Sequence, residues 1–551
     1  MQVDDCGHVL ELDQACITFN FDSDSNNNYS IYSLTSDCNS CPYTKLSDLG
    51  SKNESFVFNS QKSWNLRIFN GSENFEPQKY RDSDDTQGLV CELKPDFGEF
   101  GIYEAFDDCH VEIIKQPSNF YTPLVIIFGT LIVLFTLTIL VKSIIKYYKS
   151  KKRSVINEDP KPQKKRIQSI DSFRGLSILM MIFVNNGAGG YAILEHATWN
   201  GLFIGDLIFP SFIWIMGVCV PISLTSLLSR QVPRHKIIAN IIKRSCLLFF
   251  IGVCLNSLGT DADLSTLRIF GVLQRFGIAY LVVGLVYTLM SRRHDLEFQR
   301  GIFKNLCDFI LLIPQWIFYI TILVVYLVII FHLDIPGCPR GYLGPGGLHE
   351  NRKYFNCTGG STGYLDKLVL SKHLYQYPTI ASVYQSGPFD PEGLIGCLPT
   401  IFQTFLGVQA GKILRVYKDW RARTVRWMIL ALIYAALGSI LHFNDIIPVN
   451  KNLWSISFVL VTTSFALTIF TIFYLLIDVV KLWDGSPFRV PGMNALVMYI
   501  GHQMCYQIFP FHWKYGNMNY HSWKTISALW DAAIWTVIAY ILHYKKIYIT
   551  L

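Results

Sequence analysis

The sequence predicts a mostly α-helical membrane protein, with about eleven transmembrane helices behind a small disulfide-rich β-type N-terminal domain. Three observations carry that prediction. Charged residues make up 16% of the 551-residue chain, against roughly 25% in a soluble domain. Apolar residues reach 51% and mean hydropathy is +0.29. The net charge of +7 is also unevenly divided, residues 1–120 carrying −13 and the remainder +20. This composition excludes a disordered chain. Nucleic-acid binding is excluded as well, because the positive charge falls in short clusters between apolar runs and not along one face.

Residues 1–120 read as the extracytoplasmic head. Short alternating runs such as Ser55-Phe-Val-Phe and Trp64-Asn-Leu-Arg-Ile-Phe are broken by Asn, Asp, Ser and Gly clusters, the pattern of small β-strands. Six of the 14 cysteines (Cys6, Cys16, Cys38, Cys41, Cys91 and Cys109) lie here, an even number that fits an oxidising compartment. Cys38-Asn-Ser-Cys41 reads as disulfide chemistry, since no second pair supplies a zinc site; no metal is expected. Met1 is followed by Gln-Val-Asp-Asp without an apolar leader, so a head outside the cytosol implies a missing signal peptide or unusual targeting.

A span needs about 20 mostly apolar residues. Such runs occur at 121–141, 173–194, 203–228, 238–258, 268–290, 309–332, 393–414, 425–443, 453–480, 491–510 and 523–543. The linker at 142–170 is basic, with Lys151, Lys152, Arg153, Lys164, Lys165 and Arg166 among its cations, and the positive-inside rule puts it in the cytosol. The basic loops holding Arg230, Arg234 and Lys236, then Arg292, Arg293 and Arg300, then Arg421, Arg423 and Arg426, fall on the same side. The acidic loop with Asp261 and Asp263 falls on the other. Asn-X-Ser/Thr glycosylation acceptors at Asn28, Asn53, Asn70 and Asn356 share that non-cytosolic side. Residues 171–551 therefore form a ten-helix domain with a large luminal loop at 333–392. Cys338 and Cys357 either close that loop, or one of them bridges to a second subunit. The remaining cysteines read as packing residues. The end, Tyr548-Ile-Thr-Leu551, fits a Tyr-X-X-bulky sorting pattern, but its place beside the membrane favours a plain amphipathic tail.

Ionisable groups inside spans are costly and default to functional candidates. Asp171 and Arg174 sit three apart on one helix face, either an interfacial anchor or an arginine turned inward to an anion. The same helix ends in Asn185-Asn-Gly-Ala-Gly-Gly190, followed by His196-Ala-Thr-Trp-Asn-Gly201 and Asp206. A histidine beside an interfacial tryptophan is more often a hydrogen-bonded cap than a catalyst. The polarity gathered within these twenty residues nevertheless marks the strongest candidate site. Arg244, Arg268, Gln274, Arg275, Lys412, Asn494 and His502 are further buried candidates, and an excess of cations points to a polyanionic ligand.

The stretches Ile170-Asp-Ser-Phe-Arg-Gly, Phe183-Val-Asn-Asn-Gly, His196-Ala-Thr-Trp-Asn-Gly-Leu, Asp206-Leu-Ile-Phe-Pro, Gly271-Val-Leu-Gln-Arg, Gly337–Gly347, Asp390-Pro-Glu-Gly, Phe405-Leu-Gly-Val-Gln-Ala-Gly-Lys and Val449-Asn-Lys-Asn-Leu-Trp-Ser resemble the heparan-α-glucosaminide N-acetyltransferase family. The resemblance runs from about residue 165 to the C-terminus. It implies an eleven-span lysosomal enzyme, luminal at its N-terminus and cytosolic at its C-terminus. Such an enzyme moves acetyl from cytosolic acetyl-CoA, a co-substrate and not a tightly bound cofactor, to terminal glucosamine of heparan sulfate. It also implies a homodimer, cleavage into two chains, a catalytic histidine at His196 and an active-site asparagine at Asn185. Asp206 is then an orienting partner or a structural cap. Arg174, Arg244, Arg275 and Lys412, with His502, are candidates for holding the donor. A multispan transporter or an acyltransferase with another sugar or lipid acceptor are the competing readings; no internal repeat supports the transporter.

Overall fold

The computed structural model describes residues 9–21, 29–49, 54–70, 89–153, 166–259, 263–291, 306–516 and 518–549. Cys6, Asn28, Asn53, Lys164, Lys165, Asp261, Arg292, Arg293, Arg300 and Leu551 lie outside the described residues, as do the side chains of Lys151, Lys152 and Arg153.

Among the described residues, eight strands build the head: β1 (Gln14–Asn20), β2 (Tyr29–Thr35), β3 (Thr44–Leu49), β4 (Glu54–Asn59), β5 (Trp64–Asn70), β6 (Leu89–Leu93), β7 (Ile102–Phe106) and β8 (Val111–Lys115). They form two sheets, ordered β4-β1-β7-β8 and β3-β2-β5-β6. Among the described residues, only β1 and β7 pair in parallel. The alternating runs place Ile17, Phe19, Ile31, Leu66, Ile68 and Tyr103 inward to one core. Disulfides join Cys38 to Cys41 and Cys91 to Cys109, the second stapling β6 to the turn after β7. Asn70 and Asn356 are exposed.

The helices are α1 (Tyr121–Arg153), α2 (Gln168–Asn185), α3 (Ile208–Ser229), α4 (Arg234–Asn256), α5 (Val272–Met290), α6 (Cys307–Ile310), α7 (Ile313–His332), α8 (Gly360–Leu370), α9 (Ala381–Tyr384), α10 (Cys397–Val416), α11 (Trp420–Phe443), α12 (Ile456–Phe473), α13 (Arg489–Met493), α14 (Ala495–Met504) and α15 (His521–Tyr544). Among the described residues, eight helices are long and apolar enough to cross a membrane. The other three runs expected to span coincide with α2, α10 and the pair α13–α14. Helix α10 is wrapped by its neighbours, so it needs no lipid-facing surface and can carry Thr400, Gln403, Thr404, Gln409 and Lys412, all buried. Pro491 and the non-helical Asn494 interrupt the run at 491–510. Two boundaries also differ from expectation. Helix α1 continues to Arg153, so the first part of the basic linker is helical. Helix α2 stops at Asn185 because Gly187, Gly189 and Gly190 take positive φ (83°, 73° and 79°), a region costly for residues with a Cβ.

Helices α3 and α10 meet backbone to backbone. A Cβ on Gly217 would run into the Thr404 carbonyl, and one on Gly407 or Gly411 into the carbonyls of Trp214 or Val218. Such small-residue contacts replace the hydrophobic drive that lipid removes. The loop at 333–392 is closed by an intrachain Cys338–Cys357 disulfide, which settles the alternatives left by the sequence.

The head docks on the end of the bundle opposite the linker. The Gln61 side chain donates to the Gly190 carbonyl (2.5 Å) and accepts from the Ala192 amide (2.7 Å). Asn519 accepts from Leu12 N–H (2.5 Å) and donates to the Leu10 carbonyl (3.2 Å). His521 faces Asp13 at 2.8 Å and Glu99 at 3.5 Å. Burial pushes the Glu99 carboxyl up, and the His521 ring opposes that shift.

Candidate active site

The polar segment after α2 folds back over the bundle end. A short 3₁₀ turn over Ile204–Leu207 carries Asp206, which is completely buried. One Asp206 oxygen accepts from the backbone N–H groups of Ala197 (3.1 Å) and Phe203 (3.0 Å). The other lies 2.9 Å from His196 Nδ1 and 3.5 Å from Lys451 Nζ. A carboxylate held by these donors makes Nδ1 the protonated nitrogen, so Nε2 keeps its lone pair. The His196 side chain is 43% exposed, with the ring at the wall of a cavity of about 1520 Å³. The turn is fixed from outside. Asn450 donates to the Asn200 side chain (3.0 Å) and Asn452 to the Thr198 carbonyl (3.1 Å). The Trp199 indole donates to the Leu343 carbonyl (2.9 Å).

Asn185 lines the same cavity. Its Nδ2 lies 2.9 Å from His502 Nε2, and His502 Nδ1 lies 3.0 Å from the Met498 carbonyl. With Nδ1–H donating to that carbonyl, Nε2 accepts from Asn185, and one amide N–H of Asn185 remains free for a ligand. His502, expected among the donor-holding residues, thus sits beside Asn185 and fixes its amide.

The cationic candidates divide into two groups. Arg174 and Arg244 line a second, mostly apolar pocket of about 210 Å³ within the bundle, with Ile178, Met181, Phe212 and Tyr499 among its walls. Arg174 is tethered to Asp171 (3.5 Å), the Gly492 carbonyl (3.4 Å) and Cys219 Sγ (3.1 Å), and Arg244 lies 4.6 Å over the Tyr280 ring. The stronger partner of Asp171 is Arg166, at 2.6 and 3.0 Å. Arg275 lies elsewhere. It is buried near the head-side end of α5, donates to the Pro391 and Gly393 carbonyls (3.0 and 3.2 Å) and stacks 4.8 Å over Trp454. Lys412 is buried 5.9 Å from the Tyr287 ring and does not line the inner pocket. Arg268 is locked to Asp390 (2.5 and 2.9 Å) and Glu392 (2.6 Å). These three cations are built into the fold around them.

Helix α2 joins the two cavities. Ile178 and Met181 line the inner pocket, whereas Val184 and Asn185 line the head-side cavity. Met181 and Val184 are three positions apart, about 4.5 Å along a helix. Two contributors escaped the sequence reading. Lys451 stands in the quoted stretch Val449-Asn-Lys-Asn, but nothing local shows that it reaches Asp206. Glu195 precedes His196 and lines the cavity. Burial pushes its carboxyl up, against the pull of His196.

Residues 166–296 match the family model described as heparan-α-glucosaminide N-acetyltransferase, catalytic. That region holds Asn185, His196 and Asp206. The chain is 42% identical over 399 residues to the human heparan-α-glucosaminide N-acetyltransferase, covering 70% of this chain and 59% of the relative. It is 41% identical over 399 residues to the mouse protein of that name, covering 70% of this chain and 60% of the relative. The chain thus spans about three fifths of the length of the curated relatives it matches. The catalytic-region match falls on the histidine–aspartate turn, and over these 399 residues the chain is similar to heparan-α-glucosaminide N-acetyltransferases.

Proposed function

We propose that this protein is a transmembrane N-acetyltransferase that moves acetyl from acetyl-CoA to the amine of terminal α-glucosamine of heparan sulfate. The observation that carries the reading is the oriented His196–Asp206 pair opening on a large cavity of mixed polar and apolar lining. In this reading the lysosomal membrane houses the bundle, with the head and His196 luminal and the linker and C-terminus cytosolic. The homodimer that the family resemblance implies belongs to the same proposal. The four expected sequons are its glycosylation sites.

The donor enters by its acyl-pantetheine arm. A pocket of about 210 Å³ is too small for a nucleotide but suits a thin, largely apolar arm. Arg174 and Arg244 at its wall meet the donor's anionic groups. The thioester then lies near the α2 turn, between Ile178 and Asn185. His196 Nε2 takes the proton released as the amine bonds to the carbonyl carbon, and returns it to the departing thiolate. Asp206 holds the imidazole tautomer and stabilises the imidazolium as it forms, the role of a buried carboxylate in an acyl-transfer triad. The free N–H of Asn185 donates to the developing oxyanion, worth about 3 kcal/mol when well placed. An acetyl-His196 intermediate uses the same atoms in two steps.

The test is acetylation of glucosamine by purified protein with acetyl-CoA, followed as N-acetylglucosamine. Formation of the amide by wild type and its loss in folded His196→Ala is the expected result. An intact rate in His196→Ala would remove the mechanism. Labelled acetyl trapped on protein mixed with acetyl-CoA alone would select the two-step form.

A further inference from the structure

Of the carboxylates that line the head-side cavity, the scheme above leaves unused the one adjacent in sequence to His196. Glu195 directly precedes His196. Its N–H donates to the Ala192 carbonyl (3.1 Å), and its own carbonyl packs on Gly205, where a Cβ would run into it. The backbone is therefore fixed. The side chain lines the cavity and makes no hydrogen bond or ion pair to any described residue. The charged and titratable groups facing it are His196 on its own segment, Asp13 and Lys62 from the head, and Lys524 from α15.

The acceptor's chemistry requires a second base. An amino sugar in a mildly acidic compartment is an ammonium ion, which cannot attack a thioester. Its nitrogen sheds two protons on the way to an amide. His196 recycles only one of them, from the nitrogen to the departing thiolate. The geometry points to Glu195 as the residue that seats the acceptor ammonium and takes its first proton, a role that rests on the N-acetyl-transfer reading above.

The ammonium passes one proton to the Glu195 carboxylate, and the neutral amine attacks the thioester carbonyl. Its second proton goes through His196 Nε2 to the leaving thiolate, giving free thiol. The proton on Glu195 then leaves to solvent, so the net products are amide, thiol and one proton. The protein packed around Glu195, whose side chain itself opens on the cavity, pushes its carboxyl up from the ordinary glutamate value and makes it a better match for that proton.

Glu195→Gln removes the charge and keeps the shape. At about pH 6, its kcat/KM for glucosamine is expected to fall by about 10². With the 2-hydroxylamino analogue of glucosamine, whose nitrogen is largely neutral there, it is expected to stay within about threefold of wild type. Retained turnover of the analogue also shows that the variant is folded. Glu195→Asp keeps the charge and is expected to recover glucosamine turnover to within about tenfold of wild type. Undiminished glucosamine turnover in Glu195→Gln would overturn the assignment, as would an equal loss with both acceptors. Wild-type protein that acetylates neither acceptor would instead remove the parent reading.

Discussion

The two cavities to which α2 contributes lining residues are built by opposite rules. The inner pocket is walled by side chains of regular helices, is mostly apolar, and carries its charge on two arginines. The head-side cavity is about seven times larger and is walled by turns, loops and the face of the β domain. Regular helices in lipid satisfy their own backbone groups, so they can enclose a thin apolar slot but offer few polar contacts. Irregular backbone supplies those contacts, and here it is sheltered by the head. Under the proposed function, donor and acceptor are recognised by separate parts of the chain and meet at the Asn185–His196 turn.

The largest effect that would sharpen this division is at the shared turn. His196→Ala should lower kcat by at least about 10³, with both substrates still bound. Asp206→Asn should follow at about 10² to 10³, because the amide can no longer hold the protonated Nδ1 tautomer. His502→Ala frees the Asn185 amide to rotate and should cost about tenfold to a hundredfold in kcat, with little change in KM for either substrate. Arg244→Ala should raise KM for acetyl-CoA about tenfold and leave KM for glucosamine unchanged; a rise in the glucosamine KM would break the division between the cavities.

The smallest effect concerns stability in the closed loop outside the spans. Asp366 on α8 is buried and accepts from the Ile395 N–H (3.2 Å), and burial pushes its carboxyl up to about 7. The folded protein therefore retains a proton that the unfolded chain releases above about pH 4. That contribution is fully present below the unfolded value and is lost as pH rises through about 7. Melting temperature should fall between pH 5 and 7.5, and Asp366→Asn should flatten part of that fall. An Asp366→Asn curve parallel to wild type would contradict the assignment.

What the sequence revealed follows from the range of each interaction. His196 and Asp206 are ten residues apart, and their polarity stands out in an apolar chain, so the pair was readable before its geometry was seen. The strands at Glu54–Asn59 and Trp64–Asn70 were readable for a similar reason, because alternation is a local signal. Arg275 shows where local signals end. A buried arginine looks alike in sequence whether it meets a ligand or the carbonyls of Pro391 and Gly393, more than a hundred residues away. Lys451, and the pairing of His502 with Asn185, were hidden by the same distance, since the partners Asp206 and Asn185 lie on other elements. Helix α10 was legible as a helix of span length, but its polar residues disclosed burial inside the bundle only once its neighbours were placed.

The most direct test is vectorial acetyl transfer in proteoliposomes with the head oriented outward. Acetyl-CoA is sealed inside and glucosamine is supplied only outside. The account predicts N-acetylglucosamine in the outer solution and free CoA retained within, both abolished by His196→Ala. Turnover only when donor and acceptor share the same compartment would contradict it.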